Sequence, residues 1–105
     1  MSYAVRMTPT AEAQLAAAYQ YLHDRAPKSA RQWLRDVYQA IDALEAMPLK
    51  FGVAPEAKYL GEPLRHRIVR SHRIIYRVDE SERVVQILYV RHGAQKVVGE
   101  PDRDE

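Results

Sequence analysis

The rhythm of apolar and polar residues changes along the chain and marks out a strand, two helices and three further strands in that order. Residues 2 to 7, SYAVRM, alternate at period two, which puts Tyr3, Val5 and Met7 on one face of a short strand. Thr8 then offers an N-cap, and Pro9 fits the first helical position because its missing N–H has no partner there anyway. Ala11, Leu15, Ala18 and Leu22 recur at helical spacing to about Arg25. Ala26-Pro27 breaks that run, since a residue before proline is pushed out of the helical region. A second helix carries Ala30, Leu34, Val37, Ile41 and Leu44 on one stripe with Trp33 beside it, and ends near Met47-Pro48. So short a joint predicts an antiparallel helical hairpin. Ala13, Ala16, Ala17 and Ala18 make the first helix thin, so that the second helix or the sheet can approach closely. Tyr19, Tyr21, Trp33 and Tyr38 read as packing of the hairpin or its rim rather than as an aromatic ligand box.

Residues 48 to 63, PLKFGVAPEAKYLGEP, hold three prolines and two glycines and read as an ordered connector. Three strands follow, at about 64 to 70, 73 to 79 and 83 to 91. Their joints, Ser71-His72 and Glu80-Ser81-Glu82, are short enough to impose an antiparallel meander. The expected fold is α+β: an N-terminal strand, a helical hairpin and a three-stranded meander, forming one sheet with the helices on one face. Residues 1 to 99 make a single domain, and 100 to 105 an acidic, disordered tail. Both faces of the last strand are apolar, with Val84, Leu88 and Val90 on one and Val85, Ile87 and Tyr89 on the other. A sheet covered on one side only should alternate more cleanly, which predicts that a partner covers the second face.

Charge sharpens this picture. The formal net charge is +2, but the tail EPDRDE carries four acids and one arginine, so residues 1 to 99 carry +5. Arginine dominates the basic residues, and seven arginines fall between Leu64 and His92, where Asp79, Glu80 and Glu82 are the only acids. Segregated positive charge favours an anionic partner, either nucleic acid or an acidic protein segment. At 105 residues there is room for one modest core. With no cysteine, no membrane-length apolar run and no signal-peptide layout at MSYAVRMTP, the expected setting is the cytoplasm.

Several chemistries have no support. There is no phosphate-cradling glycine loop, and His23, His66, His72 and His92 lack metal-binding spacing, so neither a cofactor nor a metal is expected. The acids are placed in helices, turns and the tail, which leaves a glycosidase-type pair unsupported. What remains is Arg65, Arg67, Arg70, Arg73, Arg77 and Arg91, with His66, His72 and His92 nearby. Guanidinium groups bind phosphates and carboxylates through two parallel hydrogen bonds. Such a set either holds a scissile RNA phosphate, with a histidine or tyrosine moving the proton, or grips an acidic helix or tail. Periodicity does not separate the two, and any single arginine can be a solvated strand edge.

The stretch LRHRIVRSHRIIYRVDESERVVQILYVRHGAQ resembles the C-terminal sheet of the ParE/RelE superfamily, the toxins of type II toxin–antitoxin modules, also known as plasmid stabilisation proteins. The markers are the hairpin with R-I-I-Y-R-V and the strand ending in V-x-H-G-A-Q; TPTAEAQLAAAYQYL and APKSARQWLRDVYQAIDALEAMP agree with the helical part. The likeness runs over about residues 3 to 96 and is closer to ParE, given the long helical hairpin and the lack of tyrosine or histidine beyond the last strand. It implies a growth-inhibiting toxin that acts on DNA gyrase without being an enzyme. Its cognate antitoxin would lay an amphipathic C-terminal segment across helices and sheet to form a hetero-oligomer. Arg65, Arg67, Arg73, Arg77 and Arg91 would be the target- or antitoxin-binding residues. The alternative is a RelE-like, ribosome-dependent mRNA endonuclease with Arg67, Arg70 and Arg73 on phosphate and His92 in acid–base work. A third reading is a non-toxic relic that only binds its antitoxin. The family hairpin usually has a glycine-bearing turn, which RSH replaces here.

Overall fold

A computed structural model describes residues 2–101; most of the expected tail, 102–105, lies outside the described residues. The strands are β1 (Ala4–Met7), β2 (Arg65–Val69), β3 (His72–Asp79) and β4 (Val84–His92), and the helices α1 (Pro9–Arg25), α2 (Pro27–Ala43) and α3 (Glu56–Leu60). The sheet runs β1-β4-β3-β2. The meander is antiparallel, while β1 lies parallel to β4, so the sheet is mixed. Among the described residues no helix is long and apolar enough to cross a membrane.

Local chemistry accounts for the helical ends. The Thr8 hydroxyl accepts from the Ala11 N–H at 3.1 Å, and Pro9 opens α1. Ala26 is the single residue between α1 and α2; extended at φ −153°, it turns the chain while its N–H still caps α1 on Leu22 O at 2.8 Å. Leu15, Trp33, Val37, Ile41 and Leu44 pack against Tyr3, Ile74, Tyr76, Val85, Ile87 and Val90 to make the main core.

Three expectations change. The first hairpin turns at Arg70-Ser71 rather than Ser71-His72, because Val69 pairs with His72. With no glycine available, Arg70 itself takes the left-handed conformation, at φ 56°. Second, β4 does not alternate throughout. Tyr76 pairs with Ile87 but Ile75 with Tyr89, so Leu88 is an extra residue in a β-bulge. Val85, Ile87 and Val90 therefore face the helices, while Leu88 and Tyr89 face the other way.

Third, the chain itself covers part of the second face. Ala54 and Leu64 from the connector pack on Ile75 and Leu88, with Ala57 of α3 beside them. Thus α3 is an element within the stretch read as a plain connector. Two buried polar links pin it. The Tyr76 hydroxyl donates to Pro48 O at 2.6 Å. Glu56, fully buried, accepts from both terminal nitrogens of Arg73 at 2.9 and 2.6 Å and from the Val98 N–H at 3.2 Å. His66 Nδ1 accepts from Arg73 at 3.1 Å, so that nitrogen carries no proton.

Burial pushes the Glu56 carboxyl up, but hydrogen bonds from Arg73 and the backbone, with the Arg73 charge, outweigh it and hold the group below its ordinary range. Burial and the Arg73 charge both lower His66. The unfolded chain therefore takes up protons first at both sites. Stability should be full above about 6.5, weaken below it as the histidine titrates in the unfolded chain, and fall further below 4.5, the ordinary glutamate value. Glu56→Ala, which leaves Arg73 buried and unpaired, should cost about 3–5 kcal/mol in urea unfolding and remove the lower of these two pH steps. The Tyr76 hydroxyl, pushed up to about 12 by burial despite Arg65 and Arg67, should stay protonated throughout. Tyr76→Phe orphans the Pro48 carbonyl and should lower stability by about 1–3 kcal/mol in the same assay.

Candidate functional site

Pairing register separates the arginines. Arg65 lies opposite Tyr76 and Arg67 opposite Ile74, both core residues, so these two arginines stand on the helix side of β2. Arg65 donates to Phe51 O at 2.5 Å, and the Arg67 guanidinium sits 4.7 Å from the centroid of the Phe51 ring. Arg73, Arg77 and Arg91 belong to the opposite face. Arg77 pairs loosely with Glu62 at 3.5 Å, and Arg91 donates to Lys96 O at 2.8 Å. Arg70, in the turn, pairs with Asp36 of α2 at 2.6 Å. The six arginines thus form no single patch, and each has a partner within the chain. Of the four residues a nuclease would use, only Arg70 and His92 come to the same place.

That place is a cleft of about 780 Å³ where the joined ends of α1 and α2 overhang the ends of β3 and β4. Its origin is the alanine run. Ala11 and Leu15 are buried, but Ala17 is exposed and Ala18 only half-buried. The thin half of α1 thus leaves a gap over the sheet instead of closing on it. Ala17, Ala18, Leu22, Ala30, Trp33 and Val90 give the cleft apolar walls, and Gln14, Arg25, Arg70, His72, His92 and Gln95 supply its polar groups. Among the described residues no carboxylate lines it. The volume and this mixture suit a ligand group that is apolar with acceptor or anionic atoms.

Three rings stack through the wall. Trp33 meets His72 edge-on at 4.9 Å, and His72 meets His92 at 5.1 Å. Burial, and then the charge of His92, lower the His72 pKa and favour its neutral form. Trp33 Nε1 and His72 Nδ1 are buried and find no hydrogen-bond partner among the described residues. His92 is exposed, and its Nδ1 accepts from the Ala94 N–H at 3.0 Å, which leaves Nε2 to carry the proton of the neutral ring. His92 is therefore a donor towards a ligand rather than a ready general base.

The motif H-G-A-Q now has a physical content. The His92 N–H donates to Gln95 Oε1 at 2.7 Å, and the Gln95 N–H to His92 O at 3.0 Å, so the four residues wind into a strand-ending turn. Gly93 passes close to the first hairpin, its N–H 2.6 Å from Ser71 O, where a Cβ would stand 3.3 Å from that oxygen. Sequence reasoning missed Glu56 and Gln14. Glu56 sits in a proline-flanked connector with no periodicity to flag it, and Gln14 is one of several polar residues on α1 with nothing in its spacing to set it apart. Among the described residues no cluster of three metal-ligating side chains occurs.

The model of the ParE toxin of type II toxin–antitoxin systems, parDE, matches residues 5–97. No curated protein sequence matches significantly. Solved structures do. The chromosomal ParDE system from P. aeruginosa gives a TM-score of 0.66 at 18% identity, over 86% of this chain and 95% of that one. The toxin–antitoxin complex RelBE2 from Mycobacterium tuberculosis gives 0.59 at 25% identity, over 88% and 99%. The archaeal RelE–RelB complex from Pyrococcus horikoshii OT3 gives 0.58 at 22% identity, over 91% and 100%. The structural likenesses share the fold across both branches, while the family model runs from β1 past the turn that ends β4. The chain belongs to the ParE toxin family of type II toxin–antitoxin systems.

Proposed function

We propose that this toxin arrests growth by engaging DNA gyrase rather than by cutting RNA, and that a cognate antitoxin neutralises it in a hetero-oligomer. Family membership supports the first part, and the antitoxin-bound relatives support the second. The observation that carries the choice of target is the dispersal of the nuclease set. Arg67 and Arg73 stand on opposite faces of the sheet, and Arg73 is neutralised by buried Glu56. A guanidinium held by two hydrogen bonds to a carboxylate is not available to stabilise charge on a scissile phosphate. The +5 body, and a cleft that Arg25, Arg70 and His92 line with no carboxylate among the described residues, favour a mostly acidic antitoxin segment by charge.

Induced without antitoxin, the protein should stop growth while messenger RNA stays intact, and the purified protein should inhibit gyrase supercoiling. Fully active gyrase in the presence of a large excess would overturn this reading. New RNA 5′ ends inside translated codons, lost in His92→Ala, would mean a ribosome-dependent endonuclease instead. His92 is the better probe because it is exposed, whereas Arg73→Ala would unpair Glu56 and disturb the fold. Normal growth on induction would indicate a protein that only binds its antitoxin.

A further inference from the structure

The edge of β4 that borders the cleft is held in an unusual way. β1 covers β4 only from Val84 to Ile87. Beyond that the chain turns away through Thr8, whose N–H donates to Ile87 O at 3.0 Å and whose hydroxyl donates to Leu88 O at 3.3 Å. The next two outward donors on this edge are the N–H groups of Val90 and His92. Neither meets a backbone carbonyl. Val90 N–H donates to Gln14 Oε1 at 2.8 Å, and His92 N–H to Gln95 Oε1 at 2.7 Å. Two side-chain amides, one from α1 and one from the turn after β4, thus stand where the carbonyls of a neighbouring strand would stand. Both glutamines also line the cleft.

We propose that Gln14 and Gln95 form a displaceable latch over a free sheet edge, and that an extended, acidic segment of the antitoxin replaces them by pairing with Val90 and His92. The inference rests on the reading above that an antitoxin binds this chain. An exposed strand edge is a template for any extended peptide, and proteins block such edges with features that cost little to move. A glutamine amide is suited to this, because it satisfies the N–H in the free protein and swings away when a carbonyl takes its place. The acidic character follows from the surroundings: Arg25, Arg70, His72 and His92 line the cleft, among the described residues no carboxylate does, and Asp36 meets Arg70 from outside its walls. The alanines of α1 leave the space a backbone needs, with Ala17 and Ala18 across from Val90.

The sign of one effect tests the idea. Gln14→Ala and Gln95→Ala remove a bond that exists only in the free toxin, so each should tighten binding of purified cognate antitoxin by roughly two- to tenfold. A glutamine that contacts the antitoxin directly would weaken binding instead. Calorimetric titration of the two single variants and the double variant measures this, with thermal melting as the folding control. Hydrogen exchange gives a second readout: the Val90 and His92 amides should exchange more slowly in the wild-type complex than in free toxin. Unchanged or weaker affinity, or no added protection at these two amides, overturns the latch. Absence of any binding by the wild-type protein would instead sink the antitoxin reading on which the latch rests.

Discussion

Everything on the far side of the sheet is organised by one buried ion pair. Arg73 leaves β3 on the face away from α1 and α2, and Glu56 comes down from α3 to meet it. Burying either charge alone is prohibitive, so each residue dictates the position of the other. The consequence is geometric. α3 must sit over β3, the connector must cross the end of β2, and residues near Val98 must fold back to complete the carboxylate's hydrogen bonds. A second small core around Ile75, Leu64 and Leu88 then becomes possible. Such a pair adds little net stability compared with apolar residues of the same volume. Its contribution is to specify one arrangement for a proline-rich segment that has few other constraints.

The main fold could be read because its signals are periodic. Leu15, Val37 and Ile41 recur at helical spacing, Ile74 and Tyr76 alternate, and Thr8-Pro9 and Ala26-Pro27 mark helix boundaries through backbone sterics. The site was far less legible, for definite reasons. Counting arginines along the strands shows a concentration but not a face, and pairing register divides them between two. Glu56 carries no local pattern that distinguishes a buried carboxylate from a solvated one. The apolar residues on both faces of β4 did show that the second face is covered, but composition is the same whether the cover is a partner or the chain's own connector. The alanines of α1 were legible as small but not as the wall of a cleft, since a small residue permits either contact or a gap. Which of the two occurs depends on where the opposing surface is held.

The cleft therefore arises from several modest features acting together. Ala26 joins two helices so tightly that their near ends stay together, Trp33 and Val90 supply apolar wall, and the turn at Arg70-Ser71 lines the cleft from the sheet side. The placement of polar groups follows the same logic. His72 is half of a wall and effectively neutral, while His92 and Arg70 reach solvent at the rim. A ligand seated here has apolar walls beside it and hydrogen-bond donors at the rim where the strand ends, which gives orientation as well as affinity.

The bulge at Leu88 has a further meaning for the lineage of such a protein. A strand contributes every second residue to each side, so its two halves are normally locked in phase. One extra residue between Ile87 and Tyr89 breaks that lock, and the half that builds the core is indexed separately from the half that lines the cleft. With the same residues and the irregularity smoothed out, Tyr89 and Arg91 would turn towards the helices, and Val90 and His92 would leave them. Two different recognition surfaces are thus encoded in one segment, and the location of a single unpaired residue selects between them. Specificity could diverge among relatives by sliding that irregularity along the strand while composition and core stay as they are.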